Sequence, residues 1–188
     1  MTRTLLSFLI FLTLAATPAL ATTVMKVEVP DMTQTSEWVV RAQVVSVENV
    51  DLRRDGRGLF TDVELRITEV YRGQKVPQRY TMRMIGGKGA DGMSLWIPGM
   101  PRFKVGQESV LFLERTSAGH IPCGLGQGVW NVRPDQKGNH WVTQGGQGMH
   151  LVQRDHTGRL KEAHATPVTS MRLLHDLVTE IYAAQQGN

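Results

Sequence analysis

Residues 37–73 constrain the fold most, because their pattern predicts two long β-strands joined by a polar loop. In the second arm, apolar and polar side chains alternate from Leu59 to Thr68. Such alternation is typical of a half-buried strand, since neighbouring side chains of a strand point to opposite faces. The loop at 51–58 is charged and contains glycine, as solvated connections do. We therefore predict a long β-hairpin over residues 37–73.

The first arm of this hairpin changes its apolar pattern part of the way along. Val40, Ala42 and Val44 share one face, whereas Val45 and Val47 place apolar side chains on the other. A slip of this kind predicts either a β-bulge or burial on both faces, as happens where a strand bends around a barrel.

Residues 1–21 have the pattern of a signal peptide that is cleaved after Ala21. Arg3 precedes an apolar run at residues 5–16, Pro18 follows, and residues 19–21 read Ala-Leu-Ala. The run is shorter than the roughly 20 residues that a membrane-spanning helix needs, which disfavours an uncleaved anchor. We expect a periplasmic or secreted product, not held in a membrane after cleavage, in which residues 22–188 form a single domain.

The charge of the expected mature chain is too small and too dispersed for nucleic-acid binding. Removal of Arg3 leaves 20 basic and 17 acidic residues, without a concentrated basic stripe. Cys123 is the only cysteine, so no internal disulfide can form.

Several further strands and one terminal helix are predicted from periodicity. The apolar run at 110–113 predicts a strand buried on both faces, and residues 155–158 predict a hairpin turn with glycine at its last position. A C-terminal helix is predicted at about 168–185, with an apolar stripe of Met171, Leu174, Val178 and Ile181. The other predicted strands lie at 24–29, 80–84, 129–132, 140–143, 149–153 and 159–163.

The loop at 93–103 admits two interpretations. It contains Trp96, Met100 and Phe103 together with two prolines. These side chains either fold inward as a plug of the core or form an exposed apolar patch that docks a partner. Inward packing is favoured, because single aromatic residues beside prolines commonly point into the protein.

No motif for catalysis or metal binding is present, so we predict no catalytic residue, no metal and no cofactor. His120 and Cys123 have a spacing that suits zinc, but two ligands are too few. Cys123 is better interpreted as a small buried apolar residue. Residues 86–92 match a single calcium-binding turn, and such turns function only in tandem. A metal-dependent hydrolase using His120 and Cys123 stays open as an alternative.

The hairpin resembles the netrin-type module of the tissue inhibitors of metalloproteinases. The resemblance is carried by residues 36–45, which include Arg41 and Ala42, and by residues 63–73, which end Tyr-Arg-Gly where the family usually has Tyr-Lys-Gly. The later glycine-containing segments are similar to a group of uncharacterised exported bacterial proteins. The resemblance implies a mainly β fold, an OB-like barrel that is closed or partly open, with added hairpins and a C-terminal α-helix.

The resemblance also implies a non-enzymatic module that binds a protein, such as an extracellular protease. In the inhibitors, an N-terminal cysteine chelates the protease zinc; here the expected first residue is Thr22, whose free amino group is all that could approach a metal. No inhibitory residue is therefore carried over. We expect a protein partner to contact Thr22, Trp96, Met100 and Phe103. A carbohydrate or small ligand on the barrel face is a further alternative, as in other OB folds.

Overall fold

The computed structural model describes residues 22–146, 149–163 and 171–187, so the expected signal peptide lies outside the described residues. The fold is mainly β and ends in an α-helix. The helices are α1 (Val29–Thr35) and α2 (Leu174–Gln186). The strands are β1 (Thr22–Met25), β2 (Trp38–Asp51), β3 (Leu59–Arg72), β4 (Arg79–Ile85), β5 (Gly87–Lys88), β6 (Ser94–Leu95), β7 (Glu108–Thr116), β8 (Gly119–Pro122), β9 (Val129–Pro134), β10 (His140–Gln144), β11 (Met149–Arg154), β12 (Leu160–Glu162) and β13 (Arg172–Leu173).

The predicted hairpin is confirmed as β2 and β3, two antiparallel strands of 14 residues each. The predicted irregularity in its first arm is also confirmed. The register shifts between Val39 and Val40, between Arg41 and Ala42, and between Val44 and Ser46. Bulges increase the local twist and bend a strand, so the hairpin curves along its length.

The hairpin belongs to one large antiparallel sheet with the order β13-β10-β9-β7-β2-β3-β4. β8 also pairs with β7, beyond the part that pairs with β9. A 3₁₀ turn at Leu125–Gly128 separates β8 from β9 along the chain. Two smaller sheets accompany the large one: β1 pairs in parallel with β11, which also pairs with β12, and β5 pairs with β6.

The large sheet packs on both of its faces. β7 is buried on both sides along its apolar run, as predicted. One face packs against α1 and α2 through a cluster that includes Phe112, Trp130, Leu177 and Ile181. The opposite face carries a second cluster. Its fully or nearly fully buried members are Trp38, Val40, Ala42, Val44, Val63, Leu65, Met82, Met84, Phe103, Leu111, Leu113 and Val129.

Two predicted boundaries are wrong. The strand predicted at 24–29 ends at Met25, and α1 already begins at Val29, because Pro30 lacks an N–H and so suits a first helical turn. The terminal helix begins at Leu174 rather than near 168, since β13 pairs with β10. Met171 is therefore outside the helix and exposed. The buried positions of α2 are Leu174, Leu177 and Ile181.

Within the described ranges, the hydrogen-bonded strands form an open sheet rather than a closed barrel. The sheet curls enough to bring β4 near β8, where a side chain bridges the remaining gap. The Tyr80 hydroxyl accepts a hydrogen bond from the backbone N–H of His120 at 2.7 Å. Trp38 stacks on the His120 ring at 3.6 Å and meets Tyr80 edge-on at 5.2 Å. None of the helices described here is long and apolar enough to cross a membrane.

Candidate functional site

The loop between β6 and β7 lies over the sheet face opposite the helices. Phe103 is 8% exposed and belongs to the core cluster of that face, and Met100 packs against the same cluster. The predicted inward packing is therefore right for these two side chains. Phe103 consequently offers little surface to a partner.

Trp96 departs from this expectation, because 60% of its side chain is exposed. It follows the short β5–β6 hairpin, in which Gly87 pairs with Leu95. This hairpin carries the preceding side chains outward as well: Leu95 is 43% and Met93 64% exposed. Ile85, at the end of β4, is 54% exposed. We call Ile85, Met93, Leu95 and Trp96 the apolar patch.

An apolar groove of about 320 Å³ lies beside this patch. Ile85, Leu95 and Trp96 form part of its wall, and Met84 and Phe103 from the core reach it from below. Lys88 and Arg102 are the charged residues of its lining among the described residues. The groove therefore suits an apolar side chain with carboxylates near it.

The β5–β6 hairpin that presents the patch is held by ionic and backbone contacts. The Arg53 guanidinium donates to Asp51 at 2.6 Å and to Asp91 at 2.9 Å, so it joins the end of β2 to the hairpin loop. Its hydrogen bond lowers the pKa of Asp51 to about 2. The Asn49 side-chain carbonyl accepts the Lys88 N–H at 2.8 Å. These contacts give the patch a defined position before any partner arrives.

A second hollow, which we call the polar basin, lies on the other side of the same loop and has a volume of about 790 Å³. The two hollows share Trp96, Met100, Pro101 and Arg102. The remaining lining of the basin comes from the loop, β9, the end of β10 and residue 171. Those residues are Gly99, Lys104, Gln107, Val129, Asn131, Arg133, Thr143, Gln144, Gly145, Gly146 and Met171.

The floor of the basin contains an ordered polar network. Asn131 lies opposite Ser109 on β7 and opposite Thr143 on β10, so the three residues share one sheet face. The Gln107 side-chain amide donates to the Asn131 side-chain carbonyl at 2.6 Å, and the Ser109 hydroxyl donates to the same oxygen at 3.2 Å. The Lys104 backbone N–H in turn donates to the Gln107 carbonyl at 3.0 Å. The Asn131 amide is thereby fixed in one orientation.

Thr22, the fourth residue expected to meet a partner, lies at the start of β1 and pairs with Met149. Met149 packs closely on the loop, since a Cβ at Gly99 would lie 2.7 Å from its Cγ. It is therefore β11, the neighbour of β1, that contacts the loop. Trp96 and Met100 line both hollows.

His120 and Cys123 lie in different places and do not form a joint site. His120 stacks on Trp38, a member of the core cluster opposite the helices, whereas Cys123 belongs to the cluster beneath the helices. Burial raises the pKa of the Cys123 thiol to about 11, with a smaller contribution from Glu114. Such a thiol is a poor metal ligand at neutral pH. No group of three His, Cys, Asp or Glu side chains in the described part of the chain is arranged to hold a metal.

Sequence reasoning missed the basin. Asn131 and Arg133 alternate with buried residues along β9, a signal that two polar side chains share a face. That signal does not show that β7 and the loop supply polar groups beside them. Comparisons with protein-family models, curated proteins and solved structures found no match to this chain. The apolar groove and the polar basin are therefore the features from which a function can be inferred.

Proposed function

We propose that this chain is an exported, non-enzymatic binding module whose partner is a protein. The observation that carries this proposal is the apolar patch. Of the ten large hydrophobic side chains that are strongly exposed among the described residues, four lie within residues 85–96, and three of these, Ile85, Leu95 and Trp96, border one groove. Contiguous apolar surface of this kind is a feature of protein-binding sites.

The chemistry of the groove specifies what the partner presents. Trp96 is the anchor, because exposed tryptophans that become buried on binding contribute a large share of interface energy. Lys88 and Arg102 border the groove, so the complementary surface has an apolar side chain flanked by Asp or Glu. Met100 also lines the groove and adds apolar surface beside Trp96 that the partner can contact. Thr22 and Phe103 are expected to contribute less to partner binding than Trp96 and Met100.

We also propose that the architecture is OB-like and of the netrin type. The bulged β2–β3 hairpin, the pairing of β2 with β7 and the approach of β4 to β8 at Tyr80 support a partly open barrel. A leader at residues 1–21 would export the module to the periplasm or beyond. An extracellular protease is the partner class that the netrin-type resemblance implies.

The test is capture of a partner by tagged protein from periplasmic extract and culture fluid, followed by measurement of its affinity. We expect Trp96→Ala to weaken binding at least tenfold, because loss of a central aromatic anchor commonly costs about 2 kcal/mol or more. Tyr182→Ala is the matched control, since Tyr182 is 46% exposed on α2, in the helical layer on the opposite face of the sheet. It is expected to bind like the wild type.

Two results would contradict the proposal. One is that the wild-type protein recovers no partner from either fraction. The other is that Trp96→Ala and Tyr182→Ala bind the recovered partner equally well. Assay of a recovered protease with and without the module would then show whether binding inhibits it.

A further inference from the structure

We propose that the polar basin is a second binding site, whose ligand is a carboxylated sugar. Arg102, Lys104 and Arg133 surround a floor of amide and hydroxyl groups on one sheet face. This combination matches a ligand that carries one carboxylate and several neighbouring hydroxyls. The inference does not depend on the protein partner proposed for the apolar patch.

The floor offers hydrogen-bonding groups that are unused within the described part of the chain. The Asn131 carbonyl accepts two hydrogen bonds, which leaves its amide NH₂ group to donate. Gln144 donates to the Gln127 backbone carbonyl at 2.9 Å, which leaves its own side-chain carbonyl to accept. The Thr143 hydroxyl lies on the same face as Asn131. A lining that offers both donors and acceptors suits a ligand with neighbouring hydroxyls.

The network beneath these groups indicates that the site is organised before a ligand binds. Ser109 is 1% exposed although it lies on a sheet face that is otherwise packed with apolar side chains. A buried hydroxyl is unfavourable unless it is hydrogen-bonded. The Ser109 hydroxyl donates its hydrogen bond to the Asn131 side-chain carbonyl and so helps to fix that amide. Gln107 holds the same carbonyl from the loop. Such preorganisation lowers the entropy that a ligand must lose on binding.

The charge of the basin has one sign. The lining contains Arg102, Lys104 and Arg133 but neither Asp nor Glu. All 17 acidic residues of the chain lie within the described ranges, and none of them forms an ion pair with these three cations. A carboxylate on the ligand would supply the missing partner through charge-assisted hydrogen bonds.

The size and the rim of the basin fit a sugar rather than a simple anion. About 790 Å³ lies within the range of small-molecule sites, which is roughly 300 to 1,000 Å³. Trp96 stands at the rim, with the Arg102 guanidinium over its ring at 5.4 Å from the centroid. The ring provides apolar surface for the C–H groups of a pyranose.

The experiment is titration calorimetry of the purified chain with galacturonate, glucuronate and N-acetylneuraminate. Galactose, glucose and acetate are the matched probes that lack either the carboxylate or the hydroxyls. We expect at least one acidic sugar to bind about tenfold or more tightly than each matched probe, and to weaken as NaCl is added. Arg133→Gln and Lys104→Gln should each weaken that binding about tenfold.

Arg54→Gln is the control for the loss of one charge, because Arg54 is exposed in the hairpin loop and lines neither hollow. It should bind the acidic sugar like the wild type. The proposal is overturned if none of the three acidic sugars binds, if a matched probe binds as well as they do, or if Arg133→Gln and Lys104→Gln both behave like Arg54→Gln. Ile85→Ala, which alters the apolar groove alone, should leave sugar binding unchanged.

Discussion

At the scale of single residues, Arg41 and Tyr71, on which the resemblance to the netrin-type module depends, lie close together at the open end of the β2–β3 hairpin. Arg41 donates to Glu69 on β3 at 2.7 Å and to Glu108 on β7 at 2.8 Å, so one guanidinium joins β2 to both neighbouring strands. The Tyr71 hydroxyl donates to the other oxygen of Glu69 at 2.8 Å. These side chains therefore form a contact network that joins β2 to β3 and β7.

Gly73 directly follows β3, and we predict that this position tolerates no side chain. Its φ is +121°, and a Cβ there would lie 2.7 Å from Cδ1 of the buried Trp38. Gly73→Ala should lower the free energy of unfolding by about 1 to 3 kcal/mol through backbone strain, and by a further ~1 to 3 kcal/mol through overlap with the indole. Urea denaturation measures both effects together.

Gly58→Ala separates the two contributions. Gly58 has a φ of +109°, but a Cβ there would meet no atom within 4 Å. This variant should therefore show the backbone strain alone. Equal losses of stability in the two variants would contradict the role assigned to the Gly73–Trp38 contact.

At the scale of elements, one side chain secures the N-terminal strand to the rest of the fold. Gln127 is 1% exposed, in the 3₁₀ turn between β8 and β9. Its carbonyl accepts the Val27 N–H at 3.0 Å, and its amide donates to the Met25 carbonyl at 3.0 Å. These contacts connect segments about 100 residues apart in sequence. No local pattern in the sequence could have predicted them.

We predict that Gln127→Ala loosens β1 before it disturbs the large sheet. The substitution removes the partners of two partly buried backbone groups, and the roughly 1 to 3 kcal/mol that a fully buried unsatisfied group costs is the upper bound for each. Hydrogen exchange of residues 22–27 should become faster, while β2 and β7 keep their protection. Gln74→Ala, at an exposed turn, is the control and should leave exchange unchanged. Unchanged exchange of β1 in Gln127→Ala would contradict this account.

The elements that could be predicted from sequence are those whose pattern reflects burial within the element itself. The alternation along β3 and the apolar run of β7 meet this condition, and both strands are found where expected. The start of α2 does not, because the pairing of Arg172 and Leu173 with β10 depends on a distant strand. For the loop at 93–103, the prediction of inward packing is right for Met100 and Phe103 but wrong for Trp96, because the β5–β6 hairpin turns that side chain outward.

At the scale of the whole molecule, the two faces of the large sheet are covered differently. One face is covered by α1 and α2, which pack over Phe112 and Trp130. The other face bears the loop, the apolar groove and the polar basin. Both proposed binding sites therefore lie on the same side of the sheet, and Trp96 lines both hollows.

The central claim, our proposal that the apolar patch contacts a protein partner in the periplasm or outside the cell, is tested most directly by site-specific photo-crosslinking. Trp96→benzoylphenylalanine places the reactive group in the patch, and Tyr182→benzoylphenylalanine places it on α2 at comparable exposure. We predict that irradiation of cells and culture fluid yields one defined adduct from position 96, absent from position 182 and identifiable by mass spectrometry. No adduct from position 96, or the same adducts from both positions, would contradict the claim.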